Sequence, residues 1–248
     1  MKGGEELEER ARLYKEMESA NLRSADTVIA ITEREREVIM KLAPDADIRV
    51  IPNIHVVSEE RESSLEHRAG LLFIGHYLHS PNTDAVEYFV RDILPLVKLR
   101  IPGVKFFIVG SAMTDELYRL ADDSVKVIGY IPDLTPYFRQ SRVFVAPLRF
   151  GAGMKGKIGQ SMSMGLPVVT TSIGAEGMGL VNETHVLIAD DAPTFADAVV
   201  RLYTDDDRWR VIAHQARDLM QREFSPASVQ RQIEALLASA RARSCSAA

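Results

Sequence analysis

Residues 142–171, RVFVAPLRFGAGMKGKIGQSMSMGLPVVTT, contain the clearest structural signal in this chain. They begin with an apolar run, pass through a loop that holds three glycines and two lysines, and end on the apolar PVVTT. The residues from about 154 to 164, between the loop and PVVTT, have a helical pattern. A strand, a helix and a second strand in this order form a βαβ unit, in which a crossover helix joins two parallel strands.

The same alternation extends in both directions from this unit. The apolar runs LLFIG, KFFIVG and VKVIGYI precede it and HVLIAD follows it. A helix is predicted in SPNTDAVEYFVRDILPLV with Asn82 as its N-cap, and residues 193–243 are predicted to form two or three amphipathic helices. Apolar strands that alternate with helices are typical of a parallel sheet covered on both faces. We therefore predict an α/β fold from about residue 69, with a doubly wound parallel sheet that binds its ligand at the carboxyl ends of the strands.

The first 58 residues precede this sheet and have shorter apolar runs. Two charged helices and two strands are predicted there, in the order helix, strand, helix, strand: 5–23, 27–32, 33–42 and IRVIPN. The polar stretch 59–68, EERESSLEHR, has no apolar periodicity and is predicted to be a linker. The chain is thereby divided into three predicted segments, 1–58, 69–225 and 226–248, the last being a C-terminal helix and tail.

Composition excludes several classes of protein. The 248 residues are 46% hydrophobic and 26% charged, as in an ordinary globular protein, and the net charge of −5 argues against a broad basic surface for nucleic acid. The single cysteine, Cys245, cannot form an internal disulfide framework, which suits a reducing compartment. Apolar runs such as TVIAIT fall far short of the roughly 20 residues that span a bilayer. With no apolar region at the N-terminus, we predict a cytoplasmic location.

The glycine–lysine loop is a candidate anion site. Gly151, Gly153 and Gly156 allow the backbone to approach a ligand closely, and the following helix presents free N–H groups and the positive end of its dipole. Lys155 and Lys157 would add full positive charges, so the loop suits a diphosphate. The alternative is a turn shaped by glycine with solvated lysines, because the loop matches neither the dinucleotide fingerprint nor the P-loop pattern.

Several motifs in order point to one family. The series FIGHYLHSPN…ILP…PGVKFFIVG…VKVIGYIPDLTPYFRQSRVFVAPLRFGAGMKGKIGQSMSMGLPVVTTSIGAEGM resembles the donor-binding domain of the glycosyltransferases group 1 family over residues 25–225. The resemblance implies a retaining enzyme of GT-B fold that uses a sugar nucleotide. The opening SADTVIAIT…IRVIPN resembles the last elements of the family's N-terminal, acceptor-binding domain. Most of that domain would be missing, which implies a fragment of a longer enzyme.

The resemblance also implies roles for individual residues. Gly75 and His76 would lie near the diphosphate or the sugar, with His76 where the family commonly carries arginine, and backbone groups of Gly129, Tyr130 and Ile131 would hold the nucleobase. The loop from Gly151 through Ala152 and Gly153 to Met154 would offer its amides, with Lys155 or Lys157 as the positive charge. The family often has two glutamates eight positions apart, and here those positions hold Ala152 and Gln160. Gln160 can hydrogen-bond the ribose, but without the added strength of a carboxylate.

Two further groups are candidates for ligand contact. Glu176, in GAEGM, lies on the loop after PVVTT and is a candidate for contact with the donor sugar, the alternative being a solvated loop carboxylate. His76 and His79 could begin a metal site, but no third ligand follows at a suitable spacing. We therefore predict no metal and no cofactor, with the nucleoside diphosphate sugar acting as a substrate.

The functional prediction is a hexosyltransferase-like glycosyltransferase of polysaccharide biosynthesis, inactive as an isolated chain. Its partners would be a nucleotide-sugar donor and a glycan or lipid-linked acceptor, with peripheral membrane contact left open and no nucleic acid. Two alternatives stay open at this point. One is a non-catalytic nucleotide-sugar-binding or scaffold module of the same fold, favoured by Gln160 and Ala152. The other is a sugar-nucleotide epimerase, which shares the two-domain fold. Fold analogy alone does not choose among them.

Overall fold

The computed structural model describes residues 2–58 and 65–246, with side chains at 6–58 and 65–242. The chain forms two compact units, residues 1–53 and residues 54–248. The predicted linker falls partly outside the described residues, and its described end, Leu65–His67, is a single 3₁₀ turn. The predicted segment boundaries after residues 58 and 225 stay predictions.

The first unit has the predicted order of helix, strand, helix and strand. Its elements are α1 (Lys2–Ser24), β1 (Val28–Ala30), α2 (Glu33–Leu42) and β2 (Ile48–Val50). The two strands pair in parallel, with Val28 opposite Ile48. The helix α2 begins where the sequence offers a cap, because the Thr32 hydroxyl accepts a hydrogen bond from the Glu35 N–H.

The second unit alternates strands and helices as the apolar runs predict. Its first half contains β3 (Leu71–His76), α3 (Ser80–Tyr88), α4 (Leu94–Arg100), β4 (Phe106–Ser111), α5 (Asp115–Tyr118), β5 (Val125–Gly129) and α6 (Thr135–Gln140). Its second half contains β6 (Val143–Ala146), α7 (Gly156–Ser163), β7 (Val168–Thr170), α8 (Ser172–Ala175), β8 (Leu187–Ile188), α9 (Ala192–Thr204), α10 (Asp206–Leu219) and α11 (Pro226–Ser246). Single π-helical turns, Phe89–Ile93 and Met220–Phe224, follow α3 and α10.

The six strands β3 to β8 form one parallel sheet in the order β5-β4-β3-β6-β7-β8. The chain builds one half of the sheet from β3 outward, then returns to pair β6 with β3, with Leu71 opposite Val143. The order therefore reverses between β3 and β6. Because loops leave these two neighbouring strands in opposite directions, a crevice opens at their carboxyl ends, where ligands bind in doubly wound sheets.

Both faces of the sheet are buried, which explains the uninterrupted apolar runs. In β3, Leu71 and Phe73 pack into one hydrophobic cluster, whereas Leu72 and Ile74 pack into the other, on the opposite face. Successive side chains of a strand point to opposite faces, so a strand covered on both sides needs an apolar residue at every position. The prediction of a doubly wound sheet is confirmed.

Two local predictions were wrong. The helix after the glycine loop begins at Gly156, two residues later than predicted, because Lys155 has a non-helical backbone conformation, with φ −91° and ψ 82°. Asn82 does not cap α3. The helix begins at Ser80, and Asn82 lies inside its first turn, where its side chain donates a hydrogen bond to the carbonyl oxygen of His76 at the end of β3.

Candidate functional site

The candidate site lies at the switch point, where the loops after β3 and β6 leave the sheet. Strand β3 ends in Gly75 and His76, and β6 is followed by the glycine–lysine loop and α7. No side-chain cap closes the first turn of α7. The first N–H groups of a helix have no partner within the helix, so this turn can donate to an anion.

Lys155, one of the two lysines predicted to supply the positive charge, packs against its own loop. Its side chain is buried, and Nζ donates to the carbonyl oxygens of Gly151 at 3.3 Å and Gly153 at 2.6 Å. The ammonium therefore links Gly151 and Gly153, the two residues of the loop that have positive φ angles. In this conformation Lys155 shapes the loop and adds charge beneath it.

Lys157 reaches back to the end of β3. Its Nζ lies 4.5 Å from the centre of the Phe73 ring and donates a hydrogen bond to Asn82 Oδ1. Burial lowers the pKa of Lys157 to about 7, and the positive charge of Lys155 acts in the same direction. When Lys157 is protonated, an aromatic face and a neutral amide leave its charge uncompensated, which favours attraction of an anion.

The ends of β3 and β4 are closely packed around two glycines. A Cβ at Gly75 would lie 3.1 Å from side-chain atoms of Asn82. On the neighbouring strand, Gly110 has a φ of 141°, and a Cβ there would clash with the carbonyl oxygen of Gly75. Beyond them, Nδ1 of the exposed His76 lies 2.8 Å from the Ser111 hydroxyl. The space that a side chain at Gly75 would need is filled by Asn82, and the space beside Gly110 is filled by the backbone of Gly75.

The remaining predicted residues occupy several places around the sheet. Gly129 ends the edge strand β5 with a φ of 83°, followed by the exposed Tyr130 and the half-buried Ile131. Gln160 is exposed on α7, and Glu176 is half-buried directly after α8. Within the loop, Ala152 is exposed and Met154 packs against the second hydrophobic cluster. Their roles toward a donor stay predictions.

Sequence reasoning missed the residues that join the two halves of this site. Asn82 was predicted to be a helix cap, and Gly110 and Ser111 were not singled out. The sequence contained a signal for Gly110, because the two predicted strands LLFIG and KFFIVG both end in glycine. In the sheet these two glycines, Gly75 and Gly110, lie opposite each other. Nothing in the local pattern indicates that Asn82 meets a lysine 75 positions later in the chain.

Two negative findings apply to the described residues alone. In the ranges 2–58 and 65–246, no group of three or more His, Cys, Asp or Glu side chains is arranged to hold a metal ion. Over the same part of the chain, no helix has the length and apolar character needed to cross a membrane.

A comparison with protein families identifies the fold's relatives. Residues 68–205 match the family described as Glycosyl transferases group 1. This chain belongs to that glycosyltransferase family. The matched range runs from just before β3 to just past the end of α9, so it contains the whole sheet and the candidate site.

The curated relative that matches this chain has a low sequence identity to it. The uncharacterized 44.6 kDa protein in the cps region of Klebsiella pneumoniae is 26% identical in a match of 172 residues, which covers 66% of this glycosyltransferase chain and 44% of the relative. The chain thus spans less than half the length of the curated relative that it matches.

Solved structures confirm the fold class. Sucrose-phosphate synthase from Thermosynechococcus elongatus aligns with a TM-score of 0.74 at 20% identity, covering 94% of this chain and 62% of that one. Anabaena HepE in complex with UDP and glucose aligns with a TM-score of 0.70 at 16% identity, covering 88% of this chain and 64% of that one. The α/β sheet described above is the Rossmann-like arrangement of GT-B glycosyltransferases.

Proposed function

We propose that this chain is mainly the donor-binding half of a retaining glycosyltransferase. The complete enzyme would move a sugar from a nucleoside diphosphate sugar to a hydroxyl group of a glycan or lipid-linked acceptor, in the assembly of a polysaccharide. The observation that carries this proposal is the meeting of Lys157, the uncapped start of α7 and the glycine end of β3 at the switch point.

This arrangement fits a diphosphate chemically. A departing nucleoside diphosphate gains negative charge on its β-phosphate as the bond to the sugar breaks. Helix N–H groups and an ammonium fixed beside that phosphate would stabilise the charge as it develops, which is electrostatic catalysis. Gly156, where a Cβ would have no neighbour within 4 Å, leaves the first turn of α7 open to the phosphate.

The proposals for the nucleotide and for the acceptor rest on the relatives of this chain. The structurally similar Anabaena HepE forms a complex with UDP and glucose, and we propose a nucleoside diphosphate of this kind as the donor's leaving group. In the family resemblance the acceptor is bound by the N-terminal domain. We therefore propose that residues 1–248 bind the donor without transferring its sugar by themselves.

A second candidate is a non-catalytic module that binds a nucleotide sugar or serves as a scaffold. Gln160 favours it, because this exposed position of α7 carries an amide where the resemblance implies a carboxylate for the ribose hydroxyls. A neutral amide forms weaker hydrogen bonds to hydroxyl groups than a carboxylate does, so the donor would be held less tightly.

Titration calorimetry with UDP, GDP and UMP tests the proposal. Lys157→Met removes one charge-assisted hydrogen bond, which is worth about 1.5–3 kcal/mol, so UDP affinity should fall about tenfold or more. UMP lacks the β-phosphate and should lose less. Gln160→Glu should tighten both nucleotides through the ribose.

Lys41→Met is the matched control, because it removes one positive charge from an exposed position of α2 in the first unit. Its affinity for UDP should equal that of the wild type. Failure of the wild-type chain to bind UDP or GDP at millimolar concentration would contradict the proposed donor site. Equal losses of UDP and UMP affinity in Lys157→Met would contradict the assignment of this lysine to the β-phosphate.

A further inference from the structure

The side chain of Asn82 joins the two loops of the candidate site. It is 5% exposed and stands in the first turn of α3. Its Nδ2 donates to the carbonyl oxygen of His76 at 2.8 Å, and its Oδ1 accepts the hydrogen bond from Lys157 Nζ. One amide thus connects the end of β3 with the first turn of α7, which follows β6.

The orientation of this amide is determined by its partners. A carbonyl oxygen can only accept a hydrogen bond, and an ammonium can only donate one. Turning the amide by 180° would place Nδ2 against the ammonium and Oδ1 against the carbonyl, so both contacts would become repulsive. The bond to His76 therefore holds Oδ1 toward Lys157.

The surrounding backbone makes room for this side chain. A methyl group at position 75 would lie 3.1 Å from Asn82 Cβ and Cγ, which is closer than ordinary packing. Glycine at the end of β3 therefore makes room for Asn82. The position of Asn82 is determined on one side by Gly75 and on the other by Lys157.

We propose that Asn82 is a positioning residue for donor binding, which holds the Lys157 ammonium at the end of β3 where the donor's diphosphate would lie. This inference rests on the proposed function. A neutral amide is suited to this task, because it directs the ammonium without neutralising it. An aspartate of the same shape would form an ion pair with Lys157 and compete with the phosphate for its charge.

Charged groups lie on the loop and on the elements next to Lys157. Lys155 in the same loop acts on Lys157 and lowers its pKa, in addition to the effect of burial. The adjoining elements contribute His76 at the end of β3 and Asp84 in α3, and Asp84 is paired with Arg149. A carboxylate introduced at position 82 would be the first acidic partner of Lys157 among the described residues.

The decisive variant is Asn82→Asp, which keeps the shape and changes the charge. UDP affinity at pH 7 should fall about tenfold, the effect of a lost charge-assisted contact.

In the wild type, affinity should decrease as pH rises above about 7, because Lys157 of the unliganded protein then loses its proton. In Asn82→Asp the new carboxylate raises the pKa of Lys157, so this decrease should move to higher pH. Asn21→Asp, on the exposed surface of α1, is the matched control.

A second pair of variants separates positioning from a purely structural role. If Asn82 acts through Lys157, Asn82→Ala should weaken UDP binding in the wild type but add little in a Lys157→Met background. Calorimetry measures the four affinities, and thermal unfolding of each variant shows whether it is folded.

The outcomes distinguish the inference from the function on which it rests. Absence of UDP binding to the wild type would overturn both. Normal wild-type binding, with the same affinity and pH profile in Asn82→Asp, would overturn the inference alone and leave Asn82 as a brace between two loops. A displaced pH profile together with non-additive losses would support it.

Discussion

At the residue scale, the contact between Gly159 and His55 shows how one missing side chain shapes the site's helix. The His55 ring packs directly against Gly159. A Cβ at position 159 would lie only 2.5 Å from Nε2 of this ring. His55 also packs edge-on against Phe224 at 6.3 Å between ring centres, and its backbone N–H donates to the Phe224 carbonyl. His55 Nε2 is buried without a hydrogen-bond partner in the described part of the chain, and burial lowers the pKa of the ring. The neutral imidazole therefore fills space against α7.

Gly159→Ala should destabilise the protein by about 1–3 kcal/mol, because the added methyl group overpacks a site that His55 already fills. Gly156→Ala in the same helix is the control, since a Cβ there has no neighbour within 4 Å. The control should be neutral or more stable by up to about 1 kcal/mol, as expected from helix propensity. Urea unfolding measures both free energies, and equal values for the two variants would contradict the steric argument.

At the element scale, the buried Arg142, which directly precedes β6, connects this strand to the start of α10. The Arg142 side chain is 7% exposed, pairs with Asp206 and donates from Nε to the Tyr203 carbonyl at 3.1 Å. Trp209, one turn into α10, donates from its indole to the Arg142 carbonyl at 2.7 Å. The hydrogen bond from Arg142 lowers the pKa of Asp206. The ion pair therefore stabilises the fold only while Asp206 is ionised.

Asp206→Asn should lower the free energy of unfolding at neutral pH, and the difference from the wild type should shrink in acid. A carboxyl group whose pKa is depressed in the folded state stabilises it above the unfolded pKa, about 4, and that contribution is lost as pH falls through the folded value. Trp209 is the single tryptophan, so its fluorescence can follow urea unfolding from pH 7 to about pH 3. A difference that does not vary with pH would contradict this account.

Asp207→Asn is the control for that experiment. Asp207 is the next residue of α10, its side chain is 98% exposed, and it pairs with Arg210 on the helix surface. Exposed pairs of this kind contribute little, so the variant should stay close to the wild type at every pH.

At the scale of the whole molecule, the hydrophobic core belongs to the second unit. Both buried clusters consist of residues from 65 onward or, at their margin, Val57. Among the described side chains of the first unit, the buried ones are four: Ala30, Thr32, Ala43 and Ile51. Larger apolar side chains there are exposed, among them Leu7, Met17 and Ile29. Two short parallel strands with so small a core are not expected to be stable alone.

A chain shortened to residues 54–248 should therefore fold cooperatively and retain UDP binding with unchanged affinity. A peptide of residues 1–53 should show little stable structure by far-UV circular dichroism. Thermal unfolding of the shortened chain, followed at Trp209, measures the first expectation. Loss of its cooperative transition would show that the first unit is required for the fold of the second.

The sequence by itself determined the architecture of the second unit. Apolar runs such as LLFIG and RVFVAP predicted strands buried on both faces, and the glycine loop predicted an entry into α7. These signals are local, because burial on two faces and a positive φ each restrict which residues a position accepts. The order of the motifs along the chain was also sufficient to indicate the family.

The tertiary structure alone decided which partners the charged side chains of the site contact. The sequence predicted a positive charge from Lys155 or Lys157, and the structure shows where each ammonium lies: Lys155 turns back onto Gly151 and Gly153, and Lys157 meets Asn82 and Phe73. These partners are separated along the chain by up to 84 positions and become neighbours only where β3 and β6 pair. A side chain's direction depends on which groups the folded sheet brings within hydrogen-bonding distance, and a local pattern contains no record of them.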